Sequence, residues 1–321
     1  MPEFRRLTGT ADDMTPPKLS FPSLRLMDKP YLLLSLTMLF WAGNIVIGRY
    51  AAGQIPPMAL SYLRWQLAFL SLLPFAWSAL VADWPIIRQN LGIMVLLAFT
   101  GVATFNTLGY WSLQYTTALN ALLLQSSGPL YVALFALVLF NVRLTWMQAF
   151  GIVISLMGVL TIILQGQLST LLQIHFNKGD IGYTVALFVF GLYSALASRR
   201  LALKQLSFLA FNCGVGSLFI LPLFLWEMAS GRVTPLNAHT IPILIYVAIF
   251  PSTLAYLFYN RGIELIGANR SAPFLHLIPV FGSAMAIGLL GEELHLYHIV
   301  GYALVFAGVV IAARKPKGTQ D

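Results

Sequence analysis

Apolar residues are grouped along the chain in long runs, which short polar segments separate. A helix needs about 20 predominantly apolar residues to cross the hydrocarbon core of a bilayer. Ten runs reach that length, at residues 31–52, 57–80, 90–112, 115–139, 144–164, 180–203, 206–228, 240–261, 264–290 and 294–313. The pattern therefore predicts an all-α integral membrane protein with ten transmembrane helices.

The connections between the runs are short and leave no room for a soluble domain. Residues 1–29 contain several prolines and carry mixed charge, so we expect a partly disordered N-terminal tail there. Residues 30–165 and 180–314 then form two halves of five helices each. A linker at 166–179 joins the halves, and residues 315–321 form a C-terminal tail.

Composition narrows the class of protein further. Hydrophobic residues make up 58% of the 321 residues and charged residues 9%, whereas about 25% of a soluble domain is charged. So few charges cannot cover a soluble protein of this size, which excludes a soluble enzyme, a disordered protein and a nucleic-acid-binding module. The single cysteine, Cys213, excludes an internal disulfide and a multi-cysteine metal site. We expect neither a cofactor nor a metal ion, and no nucleic-acid partner.

The basic residues indicate how the chain is oriented. With the N-terminus inside, 15 of the 19 Lys and Arg residues fall in inside segments. Arg49, Lys178 and Arg232 fall outside, and Arg64 lies within the second run. Cytoplasmic loops carry such an excess by the positive-inside rule. We therefore expect both termini in the cytoplasm, a periplasmic linker at 166–179 and an even number of helices.

An internal repeat relates the two halves, because residues 109–163 align without gaps with 259–313 at an offset of 150. The matched pairs include a proline within one helix and two glycines within the next: Pro129/Pro279, Gly151/Gly301 and Gly158/Gly308. We assign these residues to helix kinks and close packing. Five helices per half is an odd number, so the second half must be inverted. Inverted repeats place a central cavity between the halves and move solutes by alternating access.

Short motifs add a family resemblance. They are Trp41-Ala42-Gly43-Asn44 in the first run, Pro129 with Gly151 and Gly158, and Pro279 followed by Gly291-Glu292-Glu293-Leu294. With the five-plus-five arrangement, they resemble the EamA-type ten-helix members of the drug/metabolite transporter superfamily. The first half departs from the acidic turn, since residues 141–144 read NVRL.

The resemblance covers residues 31–313 and implies two EamA-like repeats in a transporter of the bacterial inner membrane. In size and aromatic content the chain looks most similar to the YddG-like branch of amino-acid exporters. We therefore expect a monomeric, multi-pass protein whose partners are the lipid bilayer and a small-molecule solute.

Polar and aromatic side chains within the runs are the candidates for a substrate cavity. The candidates are Trp41, Asn44, Asn106, Tyr110, Gln125, Ser126, Tyr193, Ser252, Tyr256 and His276. Several share a helix face by their spacing, and Gln125 and Ser126 precede Pro129, which frees a backbone carbonyl. Helix-to-helix packing remains the alternative for Asn44, and a neutral structural role the alternative for His276.

Charge within the runs narrows the substrate class. The acidic residues fall near the ends of runs, so no carboxylate relay of the kind used by proton pumps is expected. Arg64 either snorkels outward or pairs with a carboxylate or backbone carbonyl, and we favour a structural role for it. A neutral or zwitterionic solute remains, most simply an aromatic or hydrophobic amino acid that is exported facilitatively.

Other functions stay open at this point. One alternative is an exporter of nucleosides or drug-like metabolites, coupled to protons through His276. An open channel is another. A membrane-embedded enzyme is not expected, because the sequence has no HExxH motif, no P-loop and no convincing serine–histidine arrangement.

Overall fold

The computed structural model describes residues 27–140, 146–164, 166, 177–197, 203–266, 274–275 and 277–312. These residues form helices and short connections, and no strand occurs among them. The helices of the first half are α1 (Pro30–Tyr50), α2 (Pro57–Gln89), α3 (Leu91–Ser112), α4 (Ala118–Gln125), α5 (Gly128–Phe140) and α6 (Trp146–Ile163). Those of the second half are α7 (Lys178–Ala197), α8 (Gln205–Ala229), α9 (Thr240–Ile266), α10 (Leu277–Leu290) and α11 (Leu296–Ala312).

Six of the described helices, α1, α2, α3, α7, α8 and α9, are long and apolar enough to cross a membrane. The bent pair of α4 and α5 would make a seventh span. The chain is therefore a multi-pass, all-helical membrane protein, and the count of ten spans stays a prediction. Two predicted helix ends differ from the structure. Helix α2 continues to Gln89, beyond the predicted end at residue 80, so Asp83 lies inside a helix. Helix α9 continues to Ile266, beyond the predicted end at residue 261.

Two long helices contain a π-helical segment, at Ala98–Thr104 in α3 and at Phe250–Leu254 in α9. Phe250 lies 150 residues after Thr100, the offset of the internal repeat. In α9 the π-helical segment contains Pro251, which has no backbone N–H and so interrupts the regular α-helical hydrogen bonds. In α3 the Asn106 Nδ2 donates to the carbonyl oxygens of Gly101 and Val102, both at 3.0 Å. The side-chain amide thereby satisfies carbonyl groups next to the irregular turn.

Helices α6 and α11 pack against each other through glycine. A Cβ added to Gly158 would lie 2.6 Å from the carbonyl oxygen of Gly301, and one added to Gly308 would lie 2.5 Å from that of Gly151. These distances leave no space for a side chain, so the two backbones approach as closely as small residues allow.

The outer surface carries large apolar side chains. Phe75, Trp146 and Trp226 are 74%, 92% and 64% exposed. A soluble protein rarely leaves so many aromatic groups in water, whereas lipid tails cover them without cost. Buried polar side chains, among them Arg64, Asn106 and Ser252, lie instead in the interior of the helix assembly.

Candidate functional site

A cavity of about 760 Å³ lies among helices of both halves. Eight of the predicted substrate residues line it: Trp41, Asn44, Asn106, Tyr110, Gln125, Ser126, Tyr193 and Tyr256. Pro279, predicted as a kink position, lines it as well. Ser252 lies behind the wall, where it contacts a cavity residue. His276 and the side chain of Pro129 fall outside the described residues.

Arg64 of α2 lies at the centre of a hydrogen-bond network in the cavity wall. Its side chain is buried, with 4% exposure. Its Nε donates to Ser252 Oγ at 2.6 Å, and its Nη1 donates to Asn106 Oδ1 at 3.0 Å and to the Tyr110 hydroxyl at 2.9 Å. The guanidinium carbon lies 4.6 Å from the centre of the Trp65 ring, within range of a cation–π contact.

These contacts correct the sequence-based interpretation of Arg64. The burial shows that the side chain does not snorkel to the membrane surface. Within the described part of the chain, its hydrogen-bond partners are an amide, a hydroxyl and a phenol, and no carboxylate lies within ion-pair distance. Arg64 also lines the cavity, which the sequence did not predict.

The hydrogen bonds continue from Arg64 to α1. Tyr110 accepts from Arg64 and donates its own proton to Asn44 Oδ1 at 2.6 Å. Asn106 accepts from Arg64 with its oxygen while its nitrogen caps the π-helical turn of α3. Arg64 Nε and Nη1, Asn106 and the Tyr110 hydroxyl thus all have hydrogen-bond partners, as buried polar groups require. The network therefore fixes the orientation of Arg64 at the cavity wall.

Aromatic rings form the rest of the wall in two groups. Trp41 lies 5.7 Å from Tyr256 and 5.2 Å from Tyr259, measured between ring centroids. Its Nε1 donates to the carbonyl oxygen of Pro251 in the π-helical segment of α9, at 3.2 Å. The second group is Phe105, Phe190 and Tyr193, with successive centroid distances of 4.7 and 5.7 Å. Such walls suit an apolar or aromatic part of a solute.

Further polar side chains of the cavity lie on other helices. Gln125 Oε1 accepts a hydrogen bond from the Tyr183 hydroxyl at 3.1 Å. Within the described residues, Ser126 Oγ, Asn212 Oδ1 and Asn260 Nδ2 are buried without a hydrogen bond. Asn212 was missed in the sequence, although an amide inside the run at 206–228 was a usable signal. Buried polar atoms of this kind can bind a solute or water.

The cavity carries a net positive charge in its described lining. Arg64 is the charged residue among the described lining residues, and neither aspartate nor glutamate is one of them. The site is therefore electrostatically suited to a solute with an anionic group and an apolar body, and is unsuited to a simple organic cation.

Apolar spans, two related halves and a cavity with polar and aromatic walls together define a membrane transporter of small solutes. The model of the EamA-like transporter family matches residues 28–164 and again residues 177–314. The chain belongs to this family and contains its repeat twice.

Individual relatives cover nearly the whole chain. It is 26% identical over 292 residues to the "Uncharacterized transporter YyaM" of Bacillus subtilis, covering 88% of this chain and 93% of that protein. It is also 26% identical to a "Probable terminal-alkyne amino-acid exporter" of Streptantibioticus cattleyicolor, covering 91% and 96%. A crystal structure of another protein has the same fold, with a TM-score of 0.59, 18% identity and coverage of 88% and 97%.

Proposed function

We propose that this transporter exports small neutral or zwitterionic metabolites, foremost amino acids with aromatic or hydrophobic side chains. The observation that carries the proposal is the composition of the cavity. One wall presents the guanidinium of Arg64, and the others present the rings around Trp41 and Phe105. A hydrophobic amino acid has the matching charged end and apolar body.

The relatives support the same substrate class. One of them is named as an exporter of an amino acid. Its identity of 26% to this chain extends over 96% of its length. Since most of a transporter's substrate contacts come from its spanning helices, similarity over the full length supports a related solute class.

We further propose that ten spans form two inverted five-helix repeats around a central cavity. The cavity lining supports this arrangement, since it draws on α1 to α5 of the first half and on α7 to α10 of the second. The π-helical segments at equivalent positions of α3 and α9 are a second support. Rocking one half against the other would expose the cavity to each side of the membrane in turn.

In this proposal the protein is a facilitative monomer in the bacterial inner membrane with both termini in the cytoplasm. The positive-inside distribution of Lys and Arg supports the orientation. The lack of a carboxylate among the described lining residues supports a facilitative mechanism, because proton-driven transporters commonly carry one within the membrane.

Counterflow in proteoliposomes tests the proposal. Vesicles are loaded with one unlabelled amino acid at a time, and the entry of labelled phenylalanine is followed. We expect accelerated entry with unlabelled phenylalanine, tryptophan and leucine inside, and no acceleration in protein-free vesicles. If no amino acid accelerates entry, although the protein is monodisperse and folded, the proposal is wrong. Nucleosides and drug-like solutes are then the panel to test.

A further inference from the structure

We infer that Arg64 binds the carboxylate of the transported solute, and that the carboxylate is the group the transporter requires. The inference rests on the proposed function, whose substrate class it makes more specific. The Arg64 side chain carries a positive charge and is 4% exposed. A buried charge without a counter-charge is costly, so a site that retains one has a use for it.

The partners of Arg64 orient the guanidinium but do not neutralise it. Ser252, Asn106 and Tyr110 each supply a neutral oxygen. Their bonds engage Nε and Nη1, so that Nη2 is the guanidinium nitrogen without a partner among the described residues. Arg64 is at the same time part of the cavity lining. An anionic oxygen that enters the cavity would therefore meet a charged donor already held in position.

Among the described lining residues, no negatively charged side chain is available to bind the ammonium group of an amino acid. The described lining offers it neutral oxygens and aromatic faces, chiefly Trp41, Tyr256 and Tyr259, but no carboxylate. Cation–π contacts of this kind contribute less than a charge-assisted hydrogen bond in a buried site. The two ends of the solute are thus recognised unequally. A carboxylate without an amine should still bind, whereas an amine without a carboxylate should not.

Competition experiments on the wild-type protein test this asymmetry without any mutation. Counterflow of labelled phenylalanine is measured against 3-phenylpropionate, phenethylamine and phenylalanine amide. We expect 3-phenylpropionate to compete within about tenfold of phenylalanine, and the other two to compete at least about tenfold more weakly still, as loss of a hydrogen bond to a charged group predicts. Equal competition by phenethylamine and 3-phenylpropionate would overturn the inference and leave amino-acid transport intact.

Variants then assign the effect to Arg64. We expect Arg64→Gln to raise the KM for phenylalanine by about 10- to 100-fold, the loss expected for a charge-assisted hydrogen bond. Arg64→Lys keeps the charge but not the planar fork, so its KM should lie between the two. The matched control is Arg261→Gln, because Arg261 pairs with Asp28 and Glu264 at the surface. An unchanged KM in a folded Arg64→Gln protein contradicts the assignment.

A direct binding measurement separates this inference from the proposed function. The melting temperature of the purified protein is measured with and without 3-phenylpropionate. We expect 3-phenylpropionate to stabilise the wild type and Arg261→Gln, to stabilise Arg64→Lys less, and not to stabilise Arg64→Gln. If the wild type moves no amino acid but shows this pattern, the proposed substrate is wrong and the carboxylate site stands. If the wild type is not stabilised, the carboxylate site is wrong.

Discussion

Asp83 and Glu227 cap each other's helices across the two halves. Asp83, near the end of α2, accepts a hydrogen bond at 2.8 Å from the backbone N–H of Lys204 at the start of α8. Glu227, near the end of α8, accepts one at 2.8 Å from the N–H of Ala59 at the start of α2. Neither helix has a side-chain cap of its own, so each takes it from the other.

This reciprocity follows the repeat. Lys204 lies 145 residues after Ala59, and Glu227 lies 144 residues after Asp83, so the two contacts occupy corresponding places in the halves. Both carboxylates are almost fully buried, with exposures of 7% for Asp83 and 1% for Glu227. A negative group at a helix N-terminus is also favoured by the helix dipole. The pair therefore fastens α2 to α8 at both ends of their antiparallel contact.

Removing either cap should destabilise the protein. We expect Glu227→Ala and Asp83→Ala each to lower the free energy of unfolding by about 1–3 kcal/mol, the value of a buried hydrogen bond to a charged group. Glu227→Gln, which keeps an acceptor oxygen, should lose less. The measurement is the melting temperature in detergent. Glu293→Ala is the matched control because Glu293 is exposed, and an equal loss in that control would contradict the capping role.

A third carboxylate, that of Glu292, caps α4 from the other half of the chain. The Glu292 carboxylate accepts from the backbone N–H groups of Ala118 and Leu119, at 2.7 and 2.8 Å. In Glu292→Ala these two groups lose their partner, so we expect amide hydrogen exchange in residues 118–125 to accelerate by about tenfold. Hydrogen–deuterium exchange with mass spectrometry measures this directly. Unchanged exchange in Glu292→Ala, or equal acceleration in Glu293→Ala, would show that the cap does not stabilise α4.

The acidic turn shows what a sequence motif conveys and what it does not. The run Gly291-Glu292-Glu293-Leu294 supports the family resemblance, and the family is confirmed. The role of Glu292 was not predictable, because its partners lie 173 and 174 residues earlier in the chain. The counterpart segment NVRL in the first half lies outside the described residues.

Arg64 and its neighbours illustrate the same limit at the cavity. Apolar runs predicted the spanning helices, because a bilayer requires a minimum length of apolar chain whatever its neighbours are. Spacing also predicted which polar side chains share a helix face, as for Asn106 and Tyr110. Which face meets which helix depends on tertiary packing, and Ser252, the partner of Arg64, lies 188 residues away. The cavity role of Arg64 was therefore not predictable from the sequence.

The glycine contact between α6 and α11 gives a steric prediction. Gly308→Ala places a methyl group 2.5 Å from the Gly151 oxygen, and Gly158→Ala places one 2.6 Å from the Gly301 oxygen. Since backbone atoms cannot move aside as a side chain can, we expect each to cost about 1–3 kcal/mol of unfolding free energy.

A third glycine provides the control for this prediction. Gly288 lies in α10, and a Cβ there would meet nothing within 4 Å. Gly288→Ala should be neutral or slightly stabilising, because alanine loses less backbone entropy on folding. Equal melting temperatures for Gly288→Ala, Gly158→Ala and Gly308→Ala would show that the close approach of the two helices contributes nothing to stability.

The last prediction concerns transport through the cavity. Gln125 and Tyr256 lie on α4 and α9, in different halves, and both line the cavity. Gln125→Ala removes the acceptor of the Tyr183 hydroxyl, and Tyr256→Ala removes a ring that packs against Trp41. If the solute binds between the halves, each change should lower the counterflow rate of phenylalanine by about tenfold or more, as one lost hydrogen bond or aromatic contact implies.

The matched controls are Gln54→Ala, which removes a glutamine at an exposed position, and Phe75→Ala, which removes an exposed aromatic ring. Both control variants should transport phenylalanine normally. Normal transport by both cavity variants, from folded protein in the membrane, would mean that the solute passes elsewhere.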